Sequence, residues 1–466
     1  MADLRVSLTL SGGASLGAFQ AGAVAALLAG FRHARCEEDS DIRIDAIGGA
    51  SAGSLVGLLA AYSLLEGADG PNLLSRAWVE EIDLTVLQEG DADGPLSLEG
   101  VRERFPDLLD GSDADPDMAQ EGPLTLLVQL TGLRGLTYEI AGLRDDRPAR
   151  ASTFADWKRF ELECCGGPEQ IIEPDGGSPL DFALASASHP GVFPPRLMDR
   201  SSDRDGYEAQ GIVDLPDDGQ LWYTDGGLVQ SEPVGRVIAA AREREEDSEA
   251  THLNLVIDAR SEAPDDASRW GDAEAGGGWI EGLARALAIF PAQALYEDMR
   301  RVQRDNDRLA EVDRIIDSLR EEIGDERAER IGEEIAKVSG VAGKRAADVD
   351  LISPLVLAEE TGESVSELLA GEHMGDFSGF LDEELRRSDF SLGYECSITW
   401  ARACLNRFDL DDDAVDRSIT AMEEARLYDW DEVRRGDVEP GDLSVRARLR
   451  LARMATRALR SLKASD

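Results

Sequence analysis

From Ser7 to Phe31 the chain reads "SLTLSGGASLGAFQAGAVAALLAGF" without one charged side chain, and Ala46 to Leu65 is a second uncharged run. The first run divides into three parts. Leu4 to Leu10 alternates as a strand does, Ser11 to Ser15 is a glycine turn, and Leu16 to Phe31 repeats apolar residues at a helical period. Alanine or glycine fills nearly every other position of that helix, which predicts burial on most sides against a sheet. A secretory signal or membrane anchor is the competing reading. Asp3 offsets Arg5 at the start, however, and Gly12-Gly13 breaks the run before the roughly 20 apolar residues of a spanning helix accumulate. The second run repeats the pattern: Ile42 to Ile47 predicts a strand, Ala52 to Leu65 a helix, and Gly49-Ala50-Ser51-Ala52-Gly53 lies between. Two such units in succession predict an α/β fold with a mainly parallel sheet and helices on both faces.

Further strands are expected at Leu124 to Leu130, Leu136 to Ile140, Leu221 to Thr224 and Leu253 to Ile257. Asp107 to Pro123 reads as an acidic loop and Arg196 to Gln220 as a polar one. Beyond residue 278 helix signals dominate, with a long pair expected at Trp279 to Asp307 and Ala310 to Val338, followed by a late strand in "VDLISPLVL". The organisation expected is an α/β core over 1–270, a helical insertion or cap over 271–347, a closing part over 348–405 and a helical tail over 406–466. The tail ends in "LSVRARLRLARMATRALRSLK", where Arg446, Arg450, Arg453, Arg457 and Arg460 share a helical face. Such a helix is expected to dock on its own acidic body. A peripheral contact of 443–463 with an anionic membrane is the alternative.

Charge changes the picture. The formal net charge is −46, and of 48 basic residues only four are lysines (Lys158, Lys337, Lys344, Lys463), leaving 44 arginines. This balance suits a protein working in concentrated salt, where the Debye length falls to about 3 Å and self-repulsion no longer opposes the compact state. It also argues against nucleic-acid binding. The five cysteines are scattered without a Cys-x-x-Cys pair, and there are only four histidines. No disulfide framework, zinc site or cofactor is expected, and a reducing cytoplasm fits. Composition does not indicate an oligomeric state.

Gly49-Ala50-Ser51-Ala52-Gly53 is a Gly-x-Ser-x-Gly turn between a predicted strand and helix. Its glycines allow a sharp turn that lifts the Ser51 hydroxyl clear at the carboxyl end of the sheet as a nucleophile. The bland reading is a small-residue packing turn. Backbone N–H groups of the turn at Gly12, Gly13 and Ala14 could then serve as an oxyanion hole. A dinucleotide fingerprint is disfavoured, because Ala14 replaces its middle glycine and Gly48-Gly49 stands where a ribose-binding acid belongs. "LWYTDGGLVQ" places Asp225 before Gly226 and Gly227 at a strand end, as a carboxylate base or as a common Asp-Gly turn. His189, in "SASHPGVFPP", is an alternative base that would complete a Ser51–His189–Asp225 triad. His33, His252 and His373 lie in no catalytic context.

The glycine turn, "GASAG" and "DGG", in this order, resemble the patatin-like phospholipase family. "ALASASHPGVFPP" and "MGDFSGFLDEELRRSDFSLGYE" resemble further segments of that family and its bacterial relatives. The resemblance implies a three-layer α/β/α fold with C-terminal helical additions and a Ser–Asp dyad requiring no histidine, metal or cofactor. It implies Ser51 as nucleophile, Asp225 as general base, and Gly12, Gly13 and Ala14 as oxyanion-hole donors. The activity implied is hydrolysis of lipid carboxylic esters. A soluble non-lipid carboxylesterase, or a non-catalytic binding or regulatory protein on the same fold, are the alternatives. Two departures stand out. Leu16 replaces the family's basic residue in the turn, and Ser231-Glu232-Pro233 replaces the usual Asn-Pro after DGG.

Overall fold

The computed structural model describes residues 2–35, 40–90, 94–140, 149–172, 177–230, 232–244, 250–260, 279–371, 376–408 and 410–435. The basic stretch 443–463, His373 and Ser231 lie outside them. Strand β1 (Ala2–Leu10) leads through the glycine turn into helix α1 (Gly17–Arg35), and β2 (Ser40–Gly49) leads through the Ser51 turn into α2 (Ala52–Glu66). Both units form where the apolar pattern places them. Every residue from Ala52 to Leu65 is buried. Each leucine among them contributes roughly 1.5–3 kcal/mol by leaving water. Ala14–Arg32 is long and apolar enough to cross a membrane, but 89% of its most apolar window is buried inside the protein.

Eight strands form one sheet in the order β5-β6-β3-β2-β1-β7-β8, with β4 on the far side of β3. These are β3 (Leu124–Ile140), β4 (Ala149–Leu162), β5 (Arg196–Asp199), β6 (Gln220–Thr224), β7 (Thr251–Ile257) and β8 (Asp348–Ile352). β1, β2, β3, β7 and β8 run parallel, while β4, β5 and β6 join antiparallel. Alternation along β2 separates the two helical layers. A Cβ on Gly57 of α2 would meet Ile47 and Leu126. Ala46 and Leu127 instead pack with Val237, Ala240 and Ala241 on the opposite face. Helix α3 (Pro179–Ser186) contacts α2, and α4 (Val234–Arg242) supplies Val237. The architecture is the expected α/β/α sandwich.

Several local expectations are corrected. The two strands read at Leu124 to Leu130 and Leu136 to Ile140 are one strand, whose pairing with β4 shifts register between Thr131 and Leu136, where Gly132 and Gly135 sit. β4 had no legible pattern because most of its positions remain exposed or half-buried. The polar segment 196–220 contains β5 and a short helix, Arg204–Ala209, rather than a continuous loop. The long helical pair breaks at Gly324, not near residue 308, giving α5 (Trp279–Ile323) and α6 (Asp325–Ser339). Gly324 has φ +81, a conformation glycine adopts without strain, and it ends the first helix where an exposed Glu/Arg pattern gives no signal. β8 then rejoins the sheet beside β7. Two further helices close the molecule, α7 (Glu383–Cys404) across α1 and α8 (Asp412–Glu424) beside it.

Candidate active site

Ser51 occupies the N-cap of α2, at the end of the strand next to β1. Its φ of +52 is a left-handed conformation that a side chain adopts only at a cost of about 1–3 kcal/mol. The turn is closed too tightly for anything but glycine at its flanks. A Cβ on Gly49 would lie 2.4 Å from the Gly53 carbonyl oxygen, and one on Gly53 would lie 2.6 Å from the carbonyl oxygens of Leu10 and Ser11. The Ser51 N–H donates to Ser186 Oγ at 2.8 Å, and Ser186 Oγ donates to the Gln129 carbonyl at 2.6 Å. Ser54 Oγ donates to the Ser51 carbonyl at 2.6 Å. The strained turn is thus held from α2, α3 and β3.

Asp225 stands at the end of β6 and caps the short turn Gly226–Leu228. The Gly227 N–H donates to its Oδ1 at 2.8 Å, and its own N–H donates to the Ser188 carbonyl at 3.0 Å. Gly226 is required for the approach to β3, since a Cβ there would meet the Gln129 carbonyl oxygen at 2.1 Å. The other carboxylate oxygen receives the Ser51 hydroxyl directly: Oγ to Oδ2 is 2.6 Å, between residues 174 positions apart. Burial raises the Asp225 carboxyl pKa above its usual value, opposed by the Ser51 hydrogen bond, the charge of His189 and the Gly227 N–H.

No imidazole fits between groups already in direct contact. His189 lies at the mouth, its ring edge-on to Phe377 at 5.8 Å between centroids. It borders an apolar cleft that opens beside Ser51 and Ala14. Trp78, Ile82, Leu87, Leu98, Val101, Phe193, Phe377 and Phe380 line this cleft. Among the described residues of that lining, His189 is the only Asp, Glu, Lys, Arg or His.

The glycine turn sits at the end of β1, next to Ser51. Ala14 has φ +45, so the alanine holds a left-handed conformation that a glycine would adopt freely. Leu16 is fully buried. Side chains that sequence reasoning did not assign fix this turn. Gln20 donates to the Ser11 carbonyl at 2.5 Å, Ser11 Oγ donates to Asp258 at 2.8 Å, and Ser15 Oγ donates to the Asp376 carbonyl at 2.5 Å. Ser186 and Ser188 fall inside the stretch "ALASASHPGVFPP", in which sequence reasoning assigned neither a role.

The patatin-like phospholipase family model matches residues 8–110, a segment that holds the glycine turn and Ser51 and ends before Asp225. No curated protein sequence matches the chain. Among solved structures, VipD from Legionella pneumophila is similar at 12% identity, covering 95% of this chain and 93% of that one with a TM-score of 0.28. The matched family is one of lipid acyl hydrolases in general. Residues 8–110 carry the signature of the patatin-like phospholipases, the family that the three motifs resemble.

Proposed function

We propose that the protein is a serine hydrolase that cleaves carboxylic esters of lipids through an acyl-Ser51 intermediate, with Asp225 as general base. The observation that carries this reading is the direct 2.6 Å hydrogen bond from Ser51 Oγ to Asp225 Oδ2 at the edge of an apolar cleft. Ser51 Oγ attacks the acyl carbonyl carbon as its proton passes to Asp225. The oxyanion so formed is held by main-chain N–H groups of Gly12, Gly13 and Ala14, and the alcohol leaves with the proton from Asp225. Water then attacks the acyl-serine as Asp225 takes its proton, and that proton passes to Ser51 Oγ as the acyl–oxygen bond breaks and the fatty acid departs. A lining of leucines and aromatics suits a hydrocarbon chain.

The test is labelling by a fluorophosphonate, which phosphonylates an activated serine, performed on the full chain in molar salt. Wild type is expected to label and Ser51→Ala to give no band. Equal labelling of the two would remove Ser51 from the reaction. Hydrolysis of a lipid ester, enhanced when the ester is presented in micelles or vesicles, separates this reading from a soluble esterase.

The setting proposed is a salt-rich cytoplasm, with contact to lipid at a membrane surface. The net charge of −46 supports the salt-rich part of this setting. Dilution from molar to roughly 0.1 M salt lengthens the Debye length from about 3 to 10 Å and exposes the carboxylates to one another. The melting temperature is therefore expected to fall markedly on dilution, measured by circular dichroism. A melting point indifferent to salt would refute the salt adaptation.

A further inference from the structure

Arg260 follows β7 and takes no part in the reaction as written above, yet its guanidinium reaches the glycine turn. Nη2 donates to the Gly12 carbonyl at 2.7 Å, and Nη1 pairs with Asp376 Oδ2 at 2.7 Å. Its own N–H donates to Asp258 Oδ1 at 3.0 Å, the same oxygen that accepts from Ser11 Oγ. The side chain is thereby held at both ends. Asp376 is itself fixed, since its carbonyl accepts from Ser15 Oγ, whose oxygen also accepts the Gly379 N–H at 3.1 Å.

The direction of the Gly12 carbonyl decides more than its own hydrogen bond. In a trans peptide the C=O and the following N–H point to opposite sides of the chain. β1 lies between β7 and β2 in the sheet. Arg260 comes from the end of β7 and Ser51 from the end of β2. A Gly12 carbonyl drawn toward Arg260 therefore turns the Gly13 N–H toward the Ser51 side. With the peptide reversed, a carbonyl oxygen would face the developing oxyanion and repel it. Two glycines in succession leave the backbone free to reverse unless something holds it.

We propose that Arg260 is a positioning residue of the oxyanion hole, whose hydrogen bond to the Gly12 carbonyl aims the Gly13 N–H at the acyl oxygen bound to Ser51. This rests on the hydrolase reading above and extends it to a residue outside its motifs.

The experiment compares the second-order rate of fluorophosphonate labelling, and kcat and KM for a soluble ester, among wild type, Ser51→Ala, Arg260→Ala, Arg260→Met, Arg260→Lys and Asp376→Asn in molar salt. Arg260→Ala is expected to lose about 100-fold in labelling rate and kcat, the scale of one oxyanion donor, with KM within about twofold of wild type. Arg260→Met keeps the apolar stem without the donors and should lose as much even if the alanine variant does not fold. Arg260→Lys restores one donor and should recover at least about a tenth of the wild-type rate. Asp376→Asn leaves the bond to Gly12 and should stay within a few-fold of wild type. The proposal is overturned if folded Arg260→Ala or Arg260→Met labels at the wild-type rate while Ser51→Ala stays dark, an outcome that leaves the hydrolase reading intact. It is overturned equally if Asp376→Asn loses as much as Arg260→Ala, which would make the ion pair a structural brace. If wild type itself does not label, both readings fall.

Discussion

Asp225→Asn is expected to lower kcat by about three orders of magnitude while leaving the protein no less stable, and at neutral pH more stable, than wild type. The activity loss follows from the contact itself. Asp225 Oδ2 is the atom that receives the Ser51 hydroxyl, and an amide oxygen cannot take its proton. Removal of a positioned general base lowers rates by about 10²–10⁴. The stability change follows from burial, which raises the folded-state pKa of Asp225. A carboxyl whose pKa rises on folding favours the folded state below its unfolded pKa, and that contribution is lost as pH rises through the folded value. Above the unfolded-state pKa, burial of this carboxyl therefore opposes folding, and asparagine removes the burden while retaining an acceptor for Gly227. The same shift sets the acid limb of kcat/KM for wild type. Activity should fall as Asp225 becomes protonated, with an inflection above the ordinary carboxylate range near 4. A melting curve, a pH–rate profile and a kinetic comparison with Ser51→Ala check these points. An asparagine variant that keeps kcat within tenfold of wild type would move the base elsewhere, with His189 next in line.

Pattern and physics were legible together over the first 65 residues, where each strand and helix is buried on most sides and no polar face confuses the period. Ser51 and Asp225 were legible because their glycines are demanded by backbone proximity, at 2.4 Å for Gly49 and 2.1 Å for Gly226. β4 was not, since most of its positions stay exposed or half-buried and its charged residues pair with partners distant in sequence, Lys158 with Asp203 and Asp156 with Arg200. The dyad's supports were illegible for another reason. Ser186, Asp258, Arg260 and Asp376 act through partners far away in sequence; Arg260 and Gly12, for example, are 248 positions apart. Single polar residues at element ends and in loops carry no periodic signal of such a meeting. Ala14 shows the limit of motif reading in the other direction. Sequence leaves open whether alanine suits the turn, and the positive φ there indicates that it does so under strain.

The largest stability effect is expected where two helices cross with glycine at the contact. A Cβ on Gly22 of α1 would lie 1.8 Å from the Phe390 carbonyl oxygen, and one on Gly393 of α7 would lie 1.9 Å from the Phe19 carbonyl oxygen. The helices meet backbone to backbone, and Ser397 Oγ donating to the Ala23 carbonyl at 3.0 Å joins them at the same crossing. A peptide group has no rotamer by which to yield, so Gly22→Ala must push the helices apart. Overpacking of this kind destabilises by about 3 kcal/mol, enough to take a large part of a protein's net stability. α1 leads directly out of the glycine turn, so a displaced α1 should also slow fluorophosphonate labelling of Ser51. Gly235 supplies the contrast. It lies in α4 with no atom within 4 Å of an added Cβ, and Gly235→Ala should stabilise by about 0.5–1 kcal/mol through helix propensity alone. Denaturant midpoints in molar salt measure both. A Gly22→Ala midpoint equal to wild type would mean that the crossing is looser than its geometry, and that the closing helix is not what holds the glycine turn in register.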